Sequence, residues 1–204
     1  AKSEAKISQY WNILTMAFSA MVNRYELKGA FSAAAEIKKN KKWLACFALK
    51  NAGKIVEAVK RDKQLFKLIK KHERRFFWLT RDYDDPILTF ADFVQRIKGR
   101  MSGRPDVKLK QLLQEERQVK AEQERIIKEL KMDKKTARLF RTMREAIHNK
   151  ELRKAFVSQS LYYFDPVLIE VGRRAGLTLN QVRHFRTEEI KRALVGNKDF
   201  SKIL

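Results

Sequence analysis

Glycine and proline are scarce in this chain, and their scarcity limits the folds that it can adopt. Only seven Gly and three Pro occur among 204 residues, too few for the many tight turns of β-sandwiches and barrels. Hydrophobic residues make up 44% of the chain, enough to bury a substantial core. The sequence therefore predicts an all-α fold, a helical bundle with short connections between its helices.

Apolar residues recur at the three- and four-residue spacing of helices through residues 1–79. These residues are predicted to form a basic helical region, with a first helix through Phe18 and Met21 and two further units that begin near Trp43 and Leu65. Residues 80–105 are predicted to form a connector, because Pro86 follows Asp82, Asp84 and Asp85 and breaks a helix. Within this connector, Thr89 and Asp92 predict a capping box for one short helix that ends near Gly99.

Residues 106–204 are predicted to form a long antiparallel helical hairpin followed by short C-terminal helices. In the first arm, up to about Lys131, apolar residues recur at alternating three- and four-residue spacing, with polar residues at two of these positions. Asp133 is a suitable N-cap for the returning arm. Asp165 and Pro166 are typical of an N-cap and first helical position, so a new helix is expected there, ending at Gly176. Two short helices capped by Thr178 and Thr187 complete the chain.

The formal net charge of +22 predicts a surface that attracts polyanions such as nucleic acid, nucleotides or anionic lipid. Half of this excess lies in residues 38–75, called the basic block below, which contain fourteen Lys and Arg and only three acidic residues. An equally acceptable interpretation is a solvated helix face, whose lysine stems cover apolar neighbours while the ammonium groups stay in water.

Cysteine use and hydropathy indicate the compartment. Cys46 is the only cysteine, so no internal disulfide forms, and a reducing, cytoplasmic location is expected. No apolar run approaches the roughly 20 residues of a membrane-spanning helix, so no membrane partner is expected. The chain begins with Ala1 rather than Met, which suggests a piece cut from a longer protein.

No catalytic or metal-binding residue is predicted. Gly53-Lys54 is followed by Ile55 rather than a hydroxyl residue, so the phosphate-binding loop motif is absent. Glu145 and His148 have the spacing of two metal ligands on one helix face, but a second such pair is missing. His72 lies in a run of Lys and Arg without a nucleophile beside it in the sequence.

A polar patch interrupts the apolar periodicity of the returning arm at residues 148–154. Lys150 and Arg153 could contact a phosphate or a partner carboxylate, and Arg153 is suited to a bidentate contact. Alternatively, the patch is simply exposed, or paired along the helix with Glu151.

Residues 169–185 resemble a helix-turn-helix corner, with Gly176 in the turn and Thr178 as the cap of a second helix. Nucleic-acid binding is therefore a second hypothesis, supported by the net charge. Short helix-Gly-helix corners also occur in helical proteins that do not bind DNA. The side chains placed to meet base edges are Asn180, Gln181, Arg183 and His184.

From about Phe77 onward, the sequence resembles the helical connector of phosphoenolpyruvate synthase-like phosphotransferases, the segment that precedes their mobile phosphohistidine domain. The resemblance rests on a set of short motifs taken together. They are Trp78, Tyr83, Thr89, Asp92 and Phe93; Arg144-Glu145, Lys150-Glu151, Arg153-Lys154 and Tyr162-Tyr163; Glu170, Arg173, Arg174, Gly176 and Leu177; and Thr187-Glu188-Glu189-Ile190.

The resemblance implies a two-step phosphoryl relay in a parent enzyme that uses ATP and Mg²⁺, with ATP-grasp and phosphohistidine domains as partners in cis or in trans. This chain lacks the Gly-rich Thr-x-His segment that carries the phosphohistidine. A non-catalytic connector without cofactors of its own is therefore the expected function. The candidate anion or interdomain contacts are Arg144, Lys150, Arg153, Lys154, Arg173 and Arg174.

Overall fold

The structure, a computed structural model, describes residues 2–17, 22–79 and 87–195. Within these ranges it contains helices and no strand, so the predicted all-α class is confirmed. The helices are α1 (Lys2–Thr15), α2 (Val22–Lys39), α3 (Lys41–Phe47), α4 (Ala52–Arg61), α5 (Lys63–Phe76), α6 (Phe90–Arg100), α7 (Pro105–Glu129), α8 (Lys134–Ala175), α9 (Leu179–His184) and α10 (Thr187–Val195). No helix in these ranges is long and apolar enough to cross a bilayer.

The chain divides into two compact units. Unit 1 comprises Ala1–Phe77 and Leu88–Ala155, and unit 2 comprises Trp78–Ile87 and Phe156–Leu204. This division differs from the sequence-based boundaries at 79 and 105, because α6 and α7 both pack on α2 within unit 1. Several residues used in the predictions lie outside the described residues, namely Phe18, Met21, Asp82, Tyr83, Asp84, Asp85 and Pro86.

The core of unit 1 forms around α2. Its buried apolar positions follow the helical period. Three of them are the small residues Ala30, Ala33 and Ala34, which let neighbouring helices approach closely, and the fourth is Ile37. Larger side chains on the surrounding helices fill the space, namely Ile55, Val59, Leu65, Ile69, Phe76, Phe93, Val94 and Ile97. Each of these contributes about 1.5–3 kcal/mol through burial, so the apolar stripes of short helices decide the fold.

His72, which lies in a run of Lys and Arg in the sequence, belongs to the buried face of α5. Its neighbours Lys71, Arg74 and Arg75 are exposed, whereas the His72 ring turns inward and is only 8% exposed. Its Nε2 lies 3.3 Å from the Glu26 carboxylate of α2, which is buried as well. A buried polar group needs such a partner, and Glu26 is 46 positions away in the sequence.

The turn between α7 and α8 confirms the predicted cap at Asp133. Its carboxylate accepts a hydrogen bond from the Thr136 backbone N–H at 2.7 Å. Before it, Lys131 has φ 46°, and the Met132 N–H donates to the Ile127 carbonyl at 3.1 Å, the pattern of a Schellman C-cap. The helix α7 packs chiefly on α2 and α1.

The predicted helix start at Asp165-Pro166 is wrong. The helix α8 is continuous over 42 residues, with Pro166 inside it. Proline removes one backbone hydrogen bond and disfavours this position, but the buried residues Asp165, Gly172 and Ala175 lie at helical spacing on one face. The continuous helix aligns these three residues, and Asp165 serves as an ion-pair partner rather than as a cap.

Other predicted helix ends are confirmed. Thr89 and Asp92 form the capping box of α6, which extends one residue past Gly99. Gly176 ends α8 with φ 69°, and the Leu177 N–H donates to the Gly172 carbonyl at 2.8 Å.

The predicted caps of the two last helices have different outcomes. Thr178 caps α9, as predicted. Thr187 is the first residue of α10 rather than its cap, since the Arg186 carbonyl accepts the first helical hydrogen bonds.

Candidate functional site

Arg144 holds the C-terminal end of α1. Its Nη1 donates to the Leu14 carbonyl at 2.8 Å. Gln123 on α7 donates from Nε2 to the carbonyls of Ile13 and Met16, at 2.8 and 3.0 Å. The last carbonyls of a helix have no donor within it, so these two side chains satisfy them and connect α1 to α7 and α8.

The surroundings of Arg144 disfavour its charge. Burial lowers the pKa of its guanidinium, and the like charge of Arg141, one turn earlier on α8, lowers the pKa further. The Glu145 carboxylate acts in the opposite direction. Two guanidinium groups are therefore held close together on one stretch of α8.

The other three cations predicted on this part of α8 are exposed and separate from Arg144. Lys150 and Arg153 are exposed, and Lys154 forms an ion pair with Glu151 at 3.0 Å. Six positions along a helix place Lys150 roughly 120° around the axis from Arg144. The structure therefore does not bring the predicted anion contacts of unit 1 together.

Arg173 and Arg174 of unit 2 share one carboxylate. Glu170 accepts two hydrogen bonds from Arg173 and one from Arg174, all at 2.8 Å. These bonds lower the pKa of Glu170 to about 2. Both arginines are exposed and Glu170 is half-exposed, so these pairs contribute little to stability. Both arginines are already engaged within their own helix.

Two of the four predicted base-contacting residues have structural roles. Gln181 completes the capping box of α9 with Thr178. Arg183 donates to the largely buried Asp165 carboxylate at 2.7 Å. Asn180 and His184 are exposed, but α9 has only six residues, shorter than a helix that reads several base pairs in a major groove.

The basic block runs from the last turn of α2 through α5 and is largely exposed. Of its cations, Lys42 pairs with Asp62 at 2.8 Å and Lys70 pairs with Glu73 at 2.5 Å. Lys67, Lys71 and Arg74 line a groove on α5 beside Phe66. The apolar stripe of α5 faces the core, so the positive charge faces the solvent.

Sequence reasoning missed a cavity of about 220 Å³ within unit 1. Residues from the end of α1, from α7 and from α8 line it, namely Met16, Ala17, Val119, Lys120, Gln123, Arg141, Arg144, Glu145 and His148. Glu145 and His148, considered above as a metal pair, thus share this cavity. In the sequence, only the polar patch that begins at His148 indicated this cavity. The residues that line the rest of it are distant from His148 along the chain.

Comparison of the chain with protein-family models, with curated proteins and with solved structures gave no match. Among the residues that the structure describes, no group of three or more His, Cys, Asp and Glu is arranged to hold a metal ion.

Proposed function

We propose that the chain is a non-catalytic helical connector of a phosphoenolpyruvate synthase-like phosphotransferase in the cytoplasm, where it positions ATP-grasp and phosphohistidine domains. One observation carries this proposal. Four of the six cations that the resemblance suggested as contacts are bound by groups of the chain itself, namely Arg144, Lys154, Arg173 and Arg174.

Such contacts suit a positioning role. Arg144 and Gln123 bind carbonyls at the C-terminal end of α1, and Arg183 joins α9 to α8 through Asp165. An internal bond uses part of a cation's hydrogen-bonding capacity and holds its side chain in one position. Such bonds favour fixed geometry over chemistry on a substrate.

The coding sequence on either side of this segment tests the proposal. A connector of this kind should be followed by a Gly-rich Thr-x-His segment, the site of the phosphohistidine in the resembled family. The contrary result is an open reading frame that starts just before residue 1 and stops just after residue 204.

A second candidate function, nucleic-acid binding, is favoured by the exposed basic block rather than by the 169–185 corner. Lys67, Lys71 and Arg74 on α5 are exposed and have no carboxylate partner among the described residues. Cations of this kind contact phosphates and release counterions, which gives affinity without sequence preference.

Salt titration tests this second candidate. The logarithm of the affinity for duplex DNA should fall linearly with the logarithm of salt concentration, and K67Q/K71Q/R74Q should flatten the slope by up to about three. The matched control, K134Q/K135Q/R138Q, removes the same charge from exposed positions of α8. Equal slopes for the two triple variants would exclude a site on α5.

A further inference from the structure

The cavity in unit 1 lies where the end of α1 meets α7 and α8. One wall is apolar, formed by Met16, Ala17 and Val119. The cavity is also lined by three cations, Lys120, Arg141 and Arg144. A small chamber with an apolar side and a few convergent polar groups has the features of a ligand site.

The charges around this cavity are unbalanced. Among the described residues that line it, Glu145 is the only acidic one, against three cations. Arg141 has no carboxylate within ion-pair distance among the described residues, and Lys120 has only Glu116 at 3.8 Å. The fold therefore holds Arg141 beside Arg144 with Glu145 as the one carboxylate near them, and the repulsion between the two guanidinium groups lowers the pKa of Arg144.

His148 adds a polar atom that lacks a partner. Its Nδ1 is shielded from solvent and has no hydrogen-bond partner within the protein. Leaving such an atom without a hydrogen bond is unfavourable. A rotation of the imidazole ring towards the cavity would let a ligand oxygen supply the missing bond.

We propose that this cavity binds a small organic oxyanion, with its phosphate or carboxylate group held by Arg141, Arg144 and His148. Guanidinium groups bind both oxyanions through charge-assisted hydrogen bonds. The apolar part of the ligand contacts Met16 and Val119. A volume of about 220 Å³ is below the 300–1,000 Å³ typical of drug-sized ligands, so the ligand is small. This inference is independent of the connector function.

Imidazole NMR on the ¹⁵N-labelled chain tests the proposal directly. The chain has three histidines, so the His148 signals are assigned as those lost in His148→Gln. The probes are phenyl phosphate, inorganic phosphate and benzoate, each compared with sodium chloride at equal ionic strength. At least one oxyanion should shift the His148 signals along a saturating curve and leave His72 and His184 unchanged. Saturation by the phosphates alone, or by benzoate alone, identifies the group that is bound.

Matched variants separate a built site from general attraction. Arg141→Gln should weaken the affinity about tenfold or more, the loss expected for one charge-assisted hydrogen bond. Arg138→Gln, an exposed position one turn earlier outside the cavity, should change the affinity less than about twofold. Lys120→Gln provides a second cavity variant on α7.

Three results would overturn the proposal. They are unchanged His148 signals with every oxyanion, equal shifts with chloride, and equal weakening by the Arg141 and Arg138 variants.

Discussion

Position 29 shows how a single residue is dictated by a distant side chain. A Cβ at Gly29 on α2 would lie 2.8 Å from two atoms of the His72 ring, closer than real contacts allow. The ring itself is fixed by Glu26 and by packing against Phe76 and Phe93. A glycine in the middle of a helix, normally unfavourable, is therefore required here.

Gly29→Ala should destabilise the chain by about 1–3 kcal/mol, because the added methyl group overpacks a fixed ring. The free energy of unfolding in urea measures the effect. Gly99→Ala is the control, since nothing lies within 4 Å of a Cβ there, and it should be neutral or stabilise by up to about 1 kcal/mol. Similar urea midpoints for the two variants would contradict this account of His72.

Lys131→Gly should stabilise the chain by roughly 1 kcal/mol. Lys131 has φ 46° at the end of α7, a conformation that costs a residue with a Cβ about 1–2 kcal/mol. Urea unfolding compares it with Lys110→Gly, an exposed position inside the same helix. The control should lose roughly 1 kcal/mol, and a loss at position 131 as well would argue against the left-handed cap.

Residue roles were predictable where their partners are near in sequence. Asp133 and Thr178 bind backbone groups three residues later, so their capping follows from local patterns. The partner of His72 lies on another helix, and Arg183 bonds a carboxylate 18 positions earlier. No local pattern contains those pairings.

At the scale of elements, helix ends are fixed by single side chains. The Asp92 carboxylate accepts hydrogen bonds from the Thr89 hydroxyl and backbone N–H, at 2.6 and 2.7 Å. These bonds lower the pKa of Asp92 below its ordinary value of 3.8. The capping box of α6 is thereby linked to pH.

The stabilisation from Asp92 should be complete above pH 3.8 and should be lost as the pH falls through the lower folded-state pKa. The sign follows because protonation of the carboxylate is easier in the unfolded chain. Unfolding free energies measured from pH 7 to pH 2 test this for the native chain and for Asp92→Asn. The variant should show a smaller loss on acidification, and parallel pH curves would contradict the linkage.

Arg144→Met should loosen α1. The change removes the donor to the Leu14 carbonyl but keeps an apolar stem, so an unsatisfied carbonyl remains, which costs about 1–3 kcal/mol. Amide hydrogen exchange should speed up in α1 and remain unchanged in α4 and α5. Arg153→Met, at an exposed position, is the control, and equal protection of α1 in both variants would argue against this attachment.

Helix ends were predictable from local sequence signals, except at Pro166, where packing within unit 2 outweighs the tendency of proline to begin a helix. Gly176 ends α8 as expected, because a left-handed residue there completes a Schellman motif. Pro166 does not begin a helix, since the helix around it aligns Asp165 with Gly172 and Ala175. That alignment depends on unit 2 as a whole, which the dipeptide does not show.

At the scale of the whole molecule, periodicity and scarce turn residues predicted the all-α class but not the packing partners. The helix α2 contacts α5, α6 and α7. In the sequence, α5 precedes and α6 and α7 follow residues 78–87, which belong to unit 2. Amphipathic stripes indicate that a helix buries a face, not which helix covers it. For the same reason the cavity beside His148 could not be predicted, because its walls come from three distant segments.

The central claim is the proposed non-catalytic connector role, in which none of the three histidines of this chain carries a phosphoryl group. Its most direct test is intact-mass and ³¹P NMR analysis of the purified chain after incubation with Mg²⁺ and either ATP or phosphoenolpyruvate. The account predicts an unchanged mass and no phosphoimidazole signal. A phosphorylated imidazole on His72, His148 or His184 would contradict it.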